Sequence, residues 1–420
     1  VDRRNTRLDF PTEPSANPVV TRQSTTHQRQ AVDFMRINVA PNWAEDHSTK
    51  LGVDIGYSSN RFGLDPLIDR MPDPAYVQFG NRQSIKGPRH SAFIQDEWTL
   101  SKRWAATAGV TTEWRRLTIE EGSVEAKSSY RITSPSLHVA HKLDDAGDRR
   151  LRLSLARSFR APDSDQLTQR PTINPLAPCD AAVGCGSNSI EYADTAGNPS
   201  LRPERATGVT ISYEHSFGND SLLSLDGFNR RLKDVVGEVV DLEAVPWASE
   251  RRYVIRPQNL GSAWTTGLSA DARINLSDIE STWPKVELKA GATVAHSRLK
   301  TVPGPDNLLV DQSPWSAKIG GRYKLMSMPV EVSLDASWTP GHWYRTAINR
   351  RFYQGRREDV SAQIGWTVSS TLKFRLAANN LFSRDFERAT VFGEGARQDA
   401  SIWARKESSP LLVLTVEMKI

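Results

Sequence analysis

Nowhere does the 420-residue sequence approach the ~18 consecutive apolar residues that a membrane-spanning helix needs. Hydrophobic residues make up 38% and charged residues 25%, and with no such run a helical membrane protein is excluded. A membrane β-barrel is not, because its strands dilute their apolar residues with polar ones facing the lumen. Signatures of catalysis are missing too. There is no G-x-S-x-G elbow, no H-E-x-x-H and no glycine loop shaped for phosphate. The eight His are dispersed; His138 and His141, three apart, fall on opposite faces of an alternating segment, which argues against a shared metal. No enzyme activity and no cofactor are expected. The net charge of +5 is spread over short pairs such as Arg230-Arg231, Arg350-Arg351 and Arg356-Arg357. Without a basic stripe, zinc-finger spacing or RNA-binding signature, that charge argues against nucleic acid as a partner. The chain opens on Val1 with no initiator Met and no signal-peptide regions, so a removed start or a piece of something longer is expected.

What the sequence does have is alternation. In the closing stretch LLVLTVEMKI, Leu412, Leu414, Val416, Met418 and Ile420 share one face while Thr415, Glu417 and Lys419 share the other, the period of a strand. The same period runs through Leu51, Val53, Ile55 and Tyr57, through Val330, Val332, Leu334, Ala336 and Trp338, and through Val360, Ala362, Ile364, Trp366 and Val368. About fifteen such segments occur, each near the ten residues that a tilted strand needs to cross an outer membrane.

Connections alternate as regularly as side chains. Short links near 42–47, 100–103, 143–149, 218–220, 277–285, 326–329 and 368–370 are rich in turn residues. Long, irregular links fall between them, near 61–87, 120–129, 160–203, 237–262, 301–312, 339–355 and 381–409. A soluble sandwich has no reason to sort its loops by parity, whereas an outer-membrane barrel has short periplasmic turns and long extracellular loops. Trp104 and Trp114 lie ten residues apart on one face, and Trp315 and Tyr323 eight apart on another. At about 3.3 Å per residue and a tilt near 40°, these pairs span roughly 20–25 Å, the height of an apolar band with aromatic girdles. The predicted fold is therefore all-β, a transmembrane antiparallel up-and-down barrel. Counting back from a descending last strand makes the first strand, from about His27, descend as well. Residues 1–26 are then expected to be an extracellular loop and residues 27–420 the strands. An odd number of strands implies the C-terminal part of a larger barrel.

Three stretches resemble the TonB-dependent receptors of Gram-negative outer membranes. LARSFRAPDSDQL carries the core Phe159, Arg160, Ala161 and Pro162. GNPSLRPERATGVTISYEH carries Asn198, Pro199, Leu201, Arg202, Pro203 and Glu204, with Arg202 in the family's basic position. AANNLFSRDF carries Asn380, Leu381 and Phe382, with Ser383 where the family has Asp. The stretch SAFIQDEWTLSKRWAATAGVTTEW is a less specific match. By resemblance the whole of 1–420 is part of such a barrel, about fifteen C-terminal strands of 22 with the plug domain absent. Its implied partners are outer-membrane lipid, lipopolysaccharide, a scarce nutrient and, through the plug, TonB-ExbB-ExbD. Arg160 and Glu204 are placed so that they could pair across the base of the long loop, and the motif residues are expected to shape the rim more than to touch ligand.

The two cysteines, Cys179 and Cys185, lie in the longest loop, on the face assigned to the exterior. A disulfide is expected there, because the compartment is oxidising and two thiols with no nearby His make a poor metal site. Some ferric-catecholate receptors are similar in placing a cysteine pair before the Gly-Asn stretch, which directs the substrate expectation to a ferric siderophore. Cobalamin, carbohydrate, another metal chelate or a passive porin-like barrel are the alternatives. The candidate capture loop interleaves Trp343, Tyr344, Phe352 and Tyr353 with Arg345, Arg350, Arg351, Arg356 and Arg357. Aromatic faces beside guanidinium groups suit a flat anionic chelate through stacking, cation-π contacts and charge-assisted hydrogen bonds. They equally suit a girdle that holds lipopolysaccharide phosphates.

Overall fold

The computed structural model describes residues 2–9, 21–41, 43–122, 124–168, 170–174, 188–310, 312–347, 349–393 and 400–418. Strands dominate. In chain order they begin with β1 (Asp2–Asp9), β2 (Thr21–Val39), β3 (His47–Ile68), β4 (Met71–Pro72), β5 (Arg82–Thr99), β6 (Trp104–Glu121), β7 (Val124–Lys142) and β8 (Arg149–Arg160). There follow β9 (Asp194–Thr195), β10 (Glu204–Phe217), β11 (Ser221–Lys233), β12 (Val236–Glu243), β13 (Arg252–Asn259), β14 (Ala263–Asn275), β15 (Val286–Leu299) and β16 (Trp315–Lys324). The last are β17 (Val330–Thr339), β18 (His342–Ala347), β19 (Arg350–Gln354), β20 (Arg357–Thr367), β21 (Leu372–Asn379), β22 (Phe386–Phe392), β23 (Ala400–Lys406) and β24 (Leu411–Met418). Among the described residues two one-turn α-helices, α1 (Ser164–Leu167) and α2 (Leu276–Ile279), and two short 3-10 helices sit in links.

One large sheet runs as an antiparallel meander through β1, β2, β3, β5, β6, β7, β8, β10, β11, β14, β15, β16, β17, β20, β21 and β24, with β4 attached to β3. Among the described residues β1 pairs with β2 alone and β24 with β21 alone. The expectation for residues 1–26 is corrected here. Residues 2–9 form β1, whose Asp2 faces Gln28, and residues 21–26 begin β2, so these two stretches are strand and not loop. With β1, sixteen long strands stand among the described residues, against the fifteen or so expected.

Alternation across the meander sorts side chains by chemistry. Leu153, Ile211, Gly227, Leu268, Val294 and Trp315 occupy one cross-strand row, each directly opposite the next. Tyr323, Val332, Ile364, Leu376 and Leu414 form another. These large apolar side chains are not covered by protein; Ile211 is 57% exposed and Leu268 56%. A contiguous exposed apolar surface of this extent is an interaction surface, and its period and height match an outward face turned to lipid. The other face carries cross-strand ion pairs, Arg36–Asp54 at 2.6 Å, Arg89–Glu113 at 2.6 Å, Arg152–Glu214 at 2.9 Å and Lys318–Asp271 at 2.6 Å. Every buried cluster of apolar residues lies instead among the long links and the strand ends that meet them. Leu201 packs with Ile85, Leu117, Ile119 and Leu167, and Leu299 with Val235, Ala263 and Val302. A chain whose packed core is at one rim and whose strands are apolar outside is built for a bilayer.

The short links are tight at the opposite rim. In the turn between β10 and β11, Asp278 of α2 accepts hydrogen bonds from the backbone N–H groups of Asn219 (3.1 Å) and Asp220 (3.3 Å) and from the Ser221 hydroxyl (2.6 Å). Gly218 is left-handed (φ +61°), and a Cβ there would fall 2.3 Å from Asp278 Cγ. The Ser221 hydroxyl and the Asn219 N–H hold the Asp278 carboxyl below the usual carboxylate range. A depressed carboxylate stabilises the fold above its unfolded pKa of roughly 4 and ceases to do so as pH falls through its lower folded value. Protection factors of the Asn219 and Asp220 amides are therefore expected to hold from pH 7 to about 4, then collapse in stronger acid. In Asp278→Ala they are low throughout; equal profiles in both proteins by hydrogen exchange would refute this.

Several long links hold more strand than expected. The link predicted at 120–129 is an extension of β6 and β7, paired out to Glu121 and Val124. The link at 237–262 is the β12–β13 hairpin, joined in parallel by β9. The links at 339–355 and 381–409 hold the hairpins β18–β19 and β22–β23, merged through β19–β22 into a four-stranded sheet.

Candidate functional site

That four-stranded sheet contains most of the residues expected to capture ligand. Its first hairpin continues β17–β20 in unbroken register, since Thr339 faces Arg357 and, three residues on, His342 faces Gln354. Glycine is required at the joint. A Cβ on Gly355 would fall 2.7 Å from the Glu387 carbonyl oxygen, and one on Gly341 2.5 Å from the Tyr353 hydroxyl.

On one face Trp343 lies opposite Tyr353, with ring centroids 5.2 Å apart, and Trp403 of β23 completes a trio at 6.4 and 6.1 Å. Arg351 shares this face, its guanidinium carbon 4.9 Å from the Trp343 centroid. On the other face Tyr344 stacks on Phe352 at 5.2 Å and 15°, and Arg350 lies 4.5 Å over Phe352. Alternation thus splits the predicted loop into two aromatic-cationic faces.

The cations are not equally free. Arg350 is buried and pairs with Glu238 of β12 at 2.9 Å; burial pulls its guanidinium below the usual arginine range against the attraction of Glu238. Arg351 is paired with Asp306 at 2.5 Å. Arg345 is buried, and its backbone N–H donates to the Asp306 carbonyl at 2.6 Å. Arg356 is exposed and shares Glu358 with Arg384, at 3.6 and 3.0 Å. Arg357 is exposed, 4.6 Å over Phe386. Of the five arginines named as capture candidates, Arg345 and Arg350 are therefore buried in the outer layer and Arg351 is ion-paired, while Arg356 and Arg357 stand exposed. A groove of about 480 Å³ adjoins the aromatic trio at Tyr353, lined also by Phe382, by Arg356, Arg384 and Arg405, and by the carboxylates Asp385 and Glu387. Trp403 is 60% exposed and belongs to the site although sequence reasoning missed it; the alternating segment SIWARK was the available signal.

The family-motif residues form the frame beneath. Gly197 packs so closely on the α1 link that a Cβ would stand 2.2 Å from the Thr168 carbonyl oxygen. Asn198 donates to the Pro257 carbonyl at 3.1 Å and accepts from the Ser200 N–H at 3.0 Å. Leu201 enters the buried cluster beside Leu167, and Arg202 pairs with Asp234 at 2.7 Å. Pro199 and Pro203 bracket Leu201, and Ala161 and Pro162 lead from the end of β8 towards α1. Phe159 meets Tyr130 edge to face at 5.8 Å. Arg160 and Glu204 are directly opposite in the β8–β10 register, but their side chains do not pair. Arg160 turns to Asp163, three residues on, at 3.3 Å, while Glu204 accepts the backbone N–H of Val236 on β12 at 2.6 Å. Asn380 is left-handed (φ 54°) and donates to the Ser409 carbonyl at 3.1 Å, and the Leu381 N–H donates to Val360 at 2.9 Å; Phe382 stands exposed. Cys179 and Cys185 lie outside the described residues.

A buried charge fixes the long link to β13. Asp194 is fully buried, binds Arg252 through both oxygens (3.0 and 3.1 Å), and accepts the Trp247 indole N–H at 2.8 Å and the Asn174 N–H at 2.8 Å. Ala193 next to it packs with Val240 and Phe392, which joins the β12–β13 hairpin to the four-stranded sheet.

Residues 2–381 match the profile of the family described as TonB dependent receptor-like, beta-barrel. The chain belongs to that family. It is an outer-membrane chain of Gram-negative type, in a family of transport proteins and not of enzymes. Among curated proteins it is similar to the iron-regulated outer membrane virulence protein of Vibrio cholerae serotype O1, 25% identical over 255 residues, or 60% of this chain and 34% of that protein. Among solved structures it resembles the ferric yersiniabactin uptake receptor FyuA of Yersinia pestis, with a TM-score of 0.60, 13% identity, all of this chain and 57% of that one. The copper transporter OprC gives a TM-score of 0.63 at 13% identity, over 99% of this chain and 61% of that one. The chain thus spans about a third of the curated relative and a little over half of these receptors.

Proposed function

We propose that this TonB-dependent receptor barrel serves the uptake of a scarce nutrient, a ferric siderophore, energised by TonB-ExbB-ExbD through a plug that is not among the described residues. The observation that carries the reading is the rim face of Trp343, Tyr353, Trp403 and Arg351. Three rings within about 6 Å of one another offer π-faces to the aryl groups of a chelate. The exposed Arg356 and Arg357 at the base of the same hairpin supply positive charge to an anionic complex, while Arg351, paired with Asp306, lies over the Trp343 ring. The groove at Tyr353, about 480 Å³, is within the usual size of a small-ligand site. Names of relatives point the same way, since one is iron-regulated and another takes up ferric yersiniabactin.

Capture is tested by quenching of tryptophan fluorescence with ferric chelates, using the protein as its native locus produces it, in detergent. Trp403→Ala is expected to weaken binding by about tenfold, the scale of a desolvated aromatic contact near 1–2 kcal/mol. Trp283→Ala, in the short turn at the opposite rim, is expected to change nothing. Equal affinity in Trp403→Ala and the unaltered protein would remove this face from the site.

A further inference from the structure

The lipid-facing rows do not end in neutral residues at the outer rim. Arg157, Thr207, Arg231, Trp264 and Arg298 lie directly opposite one another across β8, β10, β11, β14 and β15. Two residues towards the short-turn rim, the same face carries Leu155, Val209, Asn229, Thr266 and His296; four residues away it is wholly apolar except for Gly227, from Leu153 through Ile211 and Leu268 to Val294. Arg231 stands eight residues from Leu223 on β11, which is roughly 20 Å along the membrane normal at a tilt near 40°. The arginine row therefore sits at the outer margin of the apolar band.

Arg157, Arg231 and Arg298 are all exposed, and none has an ion pair among the described residues. They recur on every second strand, so neighbours stand about 10 Å apart. Three like charges in one row repel each other unless something anionic lies over them. Between Arg231 and Arg298, Trp264 is half-buried and meets His296 edge to face at 5.3 Å, an aromatic at headgroup depth. One pair further out, Lys233 faces Arg205, and Arg205 is held by Asp234.

We propose that this row binds the phosphate groups of the outer leaflet's glycolipid, one guanidinium fork to each phosphate, with acyl chains along the apolar rows below. The assignment places the lipid-phosphate site on the barrel wall and leaves the rim sheet to capture ligand. It rests on the outward face being the lipid face and is independent of which nutrient is carried.

The test uses protein extracted from outer membranes and placed in phosphatidylcholine nanodiscs containing lipid A with both phosphates, or lipid A stripped of them. Retained lipid A is counted by mass spectrometry. The unaltered protein is expected to prefer the phosphorylated form by about tenfold or more, given the attraction of each basic residue at a phosphate-bearing surface. Arg157→Ala/Arg231→Ala/Arg298→Ala should abolish the preference, the single change Arg231→Ala should reduce it severalfold, and Lys102→Ala at the opposite rim should leave it intact. A preference unchanged in the single and triple variants, or lost equally in Lys102→Ala, would overturn the proposal. Inorganic phosphate at millimolar concentration is expected not to displace lipid A; displacement would show a site for free phosphate and overturn the lipid assignment.

Discussion

Asp194→Ala is expected to destabilise the outer layer by about 3–5 kcal/mol, the cost of leaving a buried guanidinium without its carboxylate. Arg252 is almost wholly buried and has both Asp194 oxygens as partners, and the Trp247 indole loses its acceptor in the same step. The effect is local, because the pair ties the link residue Asp194 to β13, and the neighbouring Ala193 packs on Phe392 of the rim sheet. Hydrogen exchange should therefore show amides of β12 and β13 opening faster while the middle of β14 and β15 stays protected. A second variant separates charge burial from packing. Asp194→Leu combined with Arg252→Met should recover much of the loss, since a buried ion pair replaced by apolar groups is often neutral. If Asp194→Ala leaves β12–β13 exchange unaltered, the pair is not what holds the layer.

The second large effect concerns the wall. Leu268→Arg, in the middle of the lipid-facing row of β14, is expected to cost about 2–4 kcal/mol, the penalty for a cation at the bilayer midplane. Ser269→Arg next to it points to the opposite, polar face and is expected to cost about 1 kcal/mol or less. Folding into lipid vesicles, titrated with urea, measures both. Equal costs would mean that the two faces are not lipid and lumen.

Much of this architecture was legible because a strand writes its environment into a period of two. Leu412, Leu414, Val416 and Met418 were readable as one face, and they do lie opposite Ala378, Leu376, Phe374 and Leu372. The sorting of short and long links was readable as well, since turn residues such as those at 218–220 are local chemistry. β1 was not, because Asp2-Arg-Arg-Asn-Thr-Arg-Leu-Asp9 alternates polar with polar and is recognised only by its pairing with β2. The fate of the arginines was hidden for another reason. Arg350 meets Glu238 across 112 residues of sequence, and Arg351 meets Asp306 from a different link, so no local pattern reveals that these charges are already spent. Motif recognition found Asn198, Leu201 and Arg202, yet their role as the clasp of the long link came only with Gly197 against Thr168 and Arg202 against Asp234.

The central claim, a receptor and not a passive pore, is tested most directly by uptake of radiolabelled ferric chelates into iron-starved cells carrying the native protein, with and without TonB. A panel of tris-catecholate, phenolate, hydroxamate and carboxylate chelates covers the class. The expected result is saturable, TonB-dependent uptake of at least one of them, weakened by Trp403→Ala. Absence of saturable uptake for all four, together with ligand-independent conductance in planar bilayers, would contradict it.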